Sequence, residues 1–230
     1  MTRPANPVRG RRGCGAGGKR CATISTEQDR TVLRELARQV AEIAALPVQA
    51  ERRSLWKRHN SLQRTRPLLL VFPEGSWREL VPEAALRCVD SAARGIESEL
   101  RRRLYTHAHF HADNVIEGEW VVQKVIRNSG WGLDAQWTHS TAPGGARAFK
   151  PVLHGPADLK RLRWPEITYD ARATAEQLAE AQALFGDLLD VKLKGVAHVS
   201  YHLLNQYSAW RGLEQTFLDM IEEPGLMHEA

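Results

Sequence analysis

One short run constrains the fold of this chain more than any other stretch. Pro67-Leu68-Leu69-Leu70-Val71-Phe72-Pro73 is continuous, apolar and closed at both ends by proline. A strand with one wet face alternates apolar and polar residues. An unbroken run predicts a strand buried on both faces, as in parallel sheets. Leu188 to Val196 reads as a second buried strand. Parallel neighbours need long crossovers, which are usually helical, and the sequence supplies helices between the two runs. Two parallel strands do not make a stable sheet alone. Either the β-rich stretch between them completes the sheet, or the chain is the front part of something longer.

The helices announce themselves by spacing. Ser25 and Gln28 have capping-box spacing ahead of a helix at about 26 to 45, whose stripe is Val32, Leu33, Leu36, Ala37, Val40, Ile43 and Ala44. Pro47 ends it and opens a second helix over about 48 to 63. Asp90 caps a third at about 91 to 106, with Val89, Ala92, Ala93, Ile96, Leu100 and Leu104 on one face. Arg101, Arg102 and Arg103 fall in its last turns, where cations complement the helix dipole. Residues 115 to 127 read as extended, and 134 to 153 as a hairpin around Pro143-Gly144-Gly145. Thr174 and Gln177 repeat the capping-box spacing and start a helix that stops at Gly186. Leu203 to Ile221 reads as one long helix, and Leu226 to Ala230 as the opening of another.

Charge is unevenly placed. The chain of 230 residues has a formal net charge of +5. Residues 1 to 22 hold Arg3, Arg9, Arg11, Arg12, Lys19 and Arg20 with no acid. The remaining 23 to 230 carry 26 basic and 27 acidic residues, a net of −1. The first 22 residues are read as a disordered basic tail, and no nucleic-acid surface is expected on the folded body. Three cysteines, Cys14, Cys21 and Cys88, have no disulfide or zinc spacing. With no apolar stretch of membrane-spanning length and no signal-like segment, the expected place is the cytoplasm.

Candidate chemistry gathers at a few points. Glu74 and Trp77 follow the apolar run, where α/β folds place their sites. His107-Ala108-His109-Phe110-His111-Ala112-Asp113 alternates histidines, which on a strand would share one face and suit a metal. On a helix end the same residues are polar ornament, with His111 or Asp113 left for substrate contact. Trp120, Trp131 and Trp137 offer flat stacking surfaces or hairpin packing. His198, Tyr201 and His202 follow the second apolar run; the two histidines are one helical turn apart but lack the intervening Glu of a zinc-protease helix.

A resemblance rests on a scattered order of motifs. Trp56-Lys57-Arg58-His59-Asn60-Ser61-Leu62 precedes Arg66-Pro67 and the apolar run; Cys88-Val89-Asp90 heads a helix with Glu97-Ser98-Glu99-Leu100-Arg101. Leu213-Glu214 leads through Phe217-Leu218-Asp219-Met220 to Glu223-Pro224-Gly225. This resembles the N-terminal half of prokaryotic proteins of the uroporphyrinogen decarboxylase-like superfamily, which includes lyases and corrinoid-dependent methyltransferases. The resemblance covers roughly 25 to 230. It implies an α/β fold: a partial (β/α)8 TIM barrel over 23 to 230, with N-terminal helices and a β-hairpin insertion.

The superfamily's decarboxylases follow this strand with an Arg-containing, Gly-rich motif for substrate carboxylates. Here Glu74-Gly75-Ser76-Trp77 stands instead, so the resemblance implies the methyltransferase type. The family's zinc His-x-Cys is absent from this sequence, so the cofactor is unassigned, with a corrinoid expected. The expected catalytic residues are Glu74, His111 and Asp113, and the expected substrate contacts are Trp77, His198 and Tyr201. Expected partners are a small-molecule substrate or a corrinoid protein, and a homo-oligomer is compatible with the reading. Decarboxylation, a non-catalytic fragment completed by a partner, and a metal-dependent hydrolase built on His107 to His111 remain the alternatives.

Overall fold

The computed structural model describes residues 26–142, 145–197 and 202–230. They form a mixed α/β structure, 53% helix and 12% strand, with small sheets and no closed barrel among the described residues. Two compact units emerge, both discontinuous in sequence. The first comprises residues up to 124 and 172–195, the second 125–171 and 196–230, so far as they are described.

In the first unit, α1 (Glu27–Ala44) is capped by Thr26, whose Oγ1 accepts from the Asp29 amide at 3.1 Å. The cap is therefore one residue later than the Ser25 spacing predicts. After α2 (Pro47–Asn60) and the single turn α3 (Trp77–Leu80) comes α4 (Ser91–His109). Asp90 caps it as expected, accepting from the amides of Ala92 and Ala93 at 2.8 and 3.1 Å. The apolar stripe of α1 meets Ala93 and Leu100 of α4. Leu184 and Phe185, near the end of α6 (Ala171–Phe185), close the same core with Ile116 and Leu189. Each large side chain buried here contributes roughly 1.5–3 kcal/mol. The expected cap Thr174 is instead buried inside α6, one turn past its start.

Two buried carboxylates hold the loop into α4. Asp29 accepts from the amides of Val89 and Asp90 at 2.9 and 3.0 Å. Glu97 accepts from the amides of Arg87 and Cys88 and from Arg101 Nε. Burial alone would raise both carboxyls, but these amides hold them below the ordinary range. Burial, then Glu97 beside it, pushes the Cys88 thiol up to about 12.

The sheet of this unit departs from expectation. The strand β1 (Glu119–Gln123) pairs in parallel with β6 (Asp190–Lys194), Glu119 opposite Asp190 and Gln123 opposite Lys194. The second apolar run is thus a strand, but its partner is 119–123 rather than 67–72. The 66–73 run belongs to no ladder. Its neighbours on one edge are side chains and a single backbone group. Leu69 N donates to Asp113 Oδ2 at 2.9 Å and Leu69 O accepts from Asp113 N at 2.8 Å. Val71 N and O are answered by the carboxamide of Asn114 at 3.1 and 3.0 Å. Among the described residues, the backbone groups of Leu68, Leu70 and Phe72 form no hydrogen bond. The predicted burial on both faces fails as well: Leu69 is 59% exposed and Phe72 50%. Apolar composition predicts that a strand wants covering and does not supply the cover.

In the second unit, β2 (Ile126–Asn128) pairs antiparallel with β5 (Ile167–Tyr169). The expected hairpin is present as β3 (Gln136–His139) with β4 (Arg147–Lys150), joined by Trp137 against Phe149. A short turn, α5 (Pro156–Leu159), precedes β5. The predicted long final helix is broken. It divides at Gly212, φ 88°, into α7 (Leu203–Arg211) and α8 (Leu213–Glu222), and α9 (Pro224–Glu229) follows as expected. Gly212 has a left-handed φ, and a Cβ there would meet Pro151 Cγ at 3.2 Å. Leu133, Leu153, Tyr207 and Trp210 make the core, with Trp210 Nε1 donating to Leu133 O at 2.8 Å.

Candidate functional site

Of the six sequence-predicted site residues, four fall on the first unit among the described residues. His198 and Tyr201 lie outside the described residues. His202 immediately precedes α7 and makes no side-chain cap.

Asp113 is held in place by its neighbours. Arg66 grips it with two nitrogens, Nη1 to Oδ2 at 2.8 Å and Nη2 to Oδ1 at 2.5 Å, and Leu69 N adds a third bond. Its side chain is only 9% exposed. The Arg66 guanidinium, against the opposing effect of burial, brings the carboxyl down to about 2. An acid so placed has no proton to donate near neutrality, and its lone pairs are engaged. Trp56 Nε1 donates to Asp113 O at 2.7 Å, and Arg52 to Asn114 O at 3.1 Å. The residue assigned to catalysis is, in this arrangement, the clasp that holds the 66–73 segment.

Glu74 opens a short turn after Pro73, exposed and in the left-handed region at φ 47°. A non-glycine residue held there carries local strain, a frequent property of functional loops. Trp77 begins α3 and enters an aromatic group: Tyr105 lies edge-on at 6.0 Å and Phe110 is tilted at 6.2 Å. Arg102 Cζ stands 5.5 Å over the Trp77 ring. Tyr105 also packs on His109 at 4.1 Å. His111 follows this group, exposed. Among the described residues, neither the Glu74 nor the His111 side chain forms a hydrogen bond.

The alternating histidines do not share a face. Helix α4 continues through His109, and residues two apart on a helix point in nearly opposite directions. The strand geometry on which a metal reading rests is not formed, and no group of three or more His, Cys, Asp or Glu is placed to hold a metal among the described residues. The neighbouring arginines have structural employment: Arg101 pairs with Glu97, and Arg103 with Glu99 and the carbonyls of Glu117 and Glu119. Trp120 packs on Phe185 in the first unit, and Trp131 between Trp164 and Trp210 in the second.

A shallow depression of about 380 Å³ lies at the N-terminal ends of β1 and β6, lined by Arg53, Glu117, Gly118, Glu119, Asp190 and Lys192. That is the end opposite to the one where α/β sites form. Its charges are mutually satisfied: Glu119 receives both Lys192 and Lys194 at 2.8 Å, and Glu117 receives Arg53 at 3.0 Å.

Sequence reasoning missed Asp29, Glu97 and Asp219, the buried carboxylates. Their partners are backbone amides for Asp29, amides and Arg101 for Glu97, and Tyr207, Arg211 and Gln215 for Asp219, and no local pattern announces those contacts. No helix among the described residues is long and apolar enough to cross a membrane. No protein-family model matches the chain, and neither does any curated protein or solved structure.

Proposed function

We propose that this chain is a wall segment of a uroporphyrinogen decarboxylase-like (β/α)8 barrel, catalytically silent until further parallel strands complete its sheet. One observation carries the reading: β1 and β6 form a parallel pair with no third strand among the described residues. Parallel pairing belongs to larger sheets covered on both faces, and two strands alone are marginal. The exposed apolar 66–73 segment, with one edge unpaired, is the natural next member. The resemblance in motif order points the same way.

The completed barrel is proposed to be of the methyltransferase type, using a corrinoid donor. Glu74, exposed in the loop after the 66–73 run, disfavours a substrate rich in carboxylates, since like charges repel at close range. Trp77, which also contacts Tyr105, Phe110 and the Arg102 guanidinium, is the aromatic ring proposed to stack on a macrocycle. Cys88 as a buried unpaired thiol suits a reducing cytoplasm.

Two readouts on the purified chain test this. Hydrogen exchange should be fast at the amides of Leu68, Leu70 and Phe72 and at the outer edges of β1 and β6. Slow exchange there would mean that the sheet is already finished and would refute the wall-segment role. Titration with hydroxocobalamin should shift the corrin absorption bands, less so in Trp77→Ala. Fast exchange without any shift would remove the methyltransferase assignment while leaving the wall segment.

A further inference from the structure

Helix α8 is inside out. Leu213, Phe217, Met220 and Ile221 recur at helical spacing, the pattern of a stripe that faces a core. Here the stripe faces water: Leu213 is 56% exposed, Phe217 59% and Ile221 84%. The buried face is polar instead, carrying Thr216 and Asp219. That polar face is fully answered. Asp219 accepts from Tyr207 at 2.6 Å, from Arg211 at 2.6 and 3.0 Å, and from Gln215 at 2.9 Å. Thr216 Oγ1 donates to Gly212 O at 2.7 Å. The helix is therefore anchored through its polar side with its apolar side presented outward, an arrangement that favours a partner surface.

The charges around the stripe say what kind of partner. From 213 to 230 the sequence holds Glu214, Asp219, Glu222, Glu223 and Glu229 and no Lys or Arg. Asp219 alone is neutralised internally, by Arg211. Glu214, Glu222, Glu223 and Glu229 are exposed. A second copy laid on this stripe would bring matching carboxylates together, which opposes pairing. We infer that α8 is a docking face for a cationic amphipathic helix, one whose apolar stripe is flanked by Lys or Arg. This face lies in the second unit and shares no residue with the 66–73 edge, so it stands apart from the barrel-wall proposal.

The test uses the full chain and two labelled synthetic helical peptides with the same leucine spacing, one filled with lysine and one with glutamate. The lysine peptide should bind, by fluorescence anisotropy, and bind less tightly as salt rises. The pair Phe217→Ser with Ile221→Ser should weaken it by about tenfold or more, and Glu214→Lys with Glu222→Lys by a similar factor. Both pairs alter exposed side chains, so circular dichroism and melting should be unchanged. Three results would overturn the inference: equal binding of the glutamate peptide, lysine-peptide binding indifferent to both pairs of substitutions, or sedimentation showing a dimer that Phe217→Ser with Ile221→Ser dissolves.

Discussion

Arg66 and Asp113 illustrate how a side chain's surroundings decide its job. Asp113 lies beside three histidines and an aromatic helix end, and composition alone marks it as reactive. Its contacts mark it as a fastener. Asp113→Asn should therefore cost stability, about 2 kcal/mol, the scale of a hydrogen bond to a charged group, measured by urea unfolding. The cost is kept modest because Arg66 is 56% exposed and regains water. The pH dependence has a definite sign. The carboxyl titrates lower in the folded chain, about 2 against an ordinary 3.8, so its contribution is complete above about pH 4. It fades as pH falls toward 2. The stability gap between wild type and Asp113→Asn should close over that window, and a gap constant down to pH 2 would contradict the clasp.

Elements were legible in sequence where local signals agree. The periodic stripe of α1, the Asp90 cap of α4 and the alternating pattern of the β3–β4 hairpin each mark the right element, because caps and periodicity act over a few residues. The misses have a common cause in distance. Leu203 to Ile221 has a continuous helical pattern, and only packing against Pro151 reveals that Gly212 must turn the chain. Gly212→Ala should cost about 1–3 kcal/mol, since φ 88° with ψ 147° is nearly reserved for glycine; thermal melting would show it. The 66–73 run predicts a buried strand and is neither a strand nor buried, because pairing and burial depend on other elements. Of the candidate site, sequence sets Glu74 and Trp77 after this run only by chain order. It could not see that Asn114 and Asp113 occupy the run's inner edge.

At the scale of the whole molecule, each unit keeps its own core and its own buried carboxylates: Asp29, Glu97 and Asp113 in the first, Asp219 in the second. Asp219→Ala would strand the Arg211 guanidinium, only 11% exposed, and should destabilise the second unit by about 3–5 kcal/mol. Phe185→Ala should do the same to the first, by about 3–5 kcal/mol. In urea, followed by residue-resolved hydrogen exchange, the two substitutions should accelerate opening in different segments. Identical patterns would mean one cooperative structure. The exposed apolar run has a further signature. Leu69→Thr with Phe72→Thr should lower the fluorescence of a bound hydrophobic dye while leaving the melting temperature within a few degrees, as expected for side chains already in water.

The pairing at 66–73 gives that segment a valence of one. Hydrogen-bonding groups of an extended chain face alternate sides, and those of Leu69 and Val71 are spoken for by Asp113 and Asn114. Only Leu68, Leu70 and Phe72 can receive a neighbour. Whatever docks there arrives from a single direction. A segment capped on one side in this way lets a sheet grow in one direction only, away from Asp113 and Asn114.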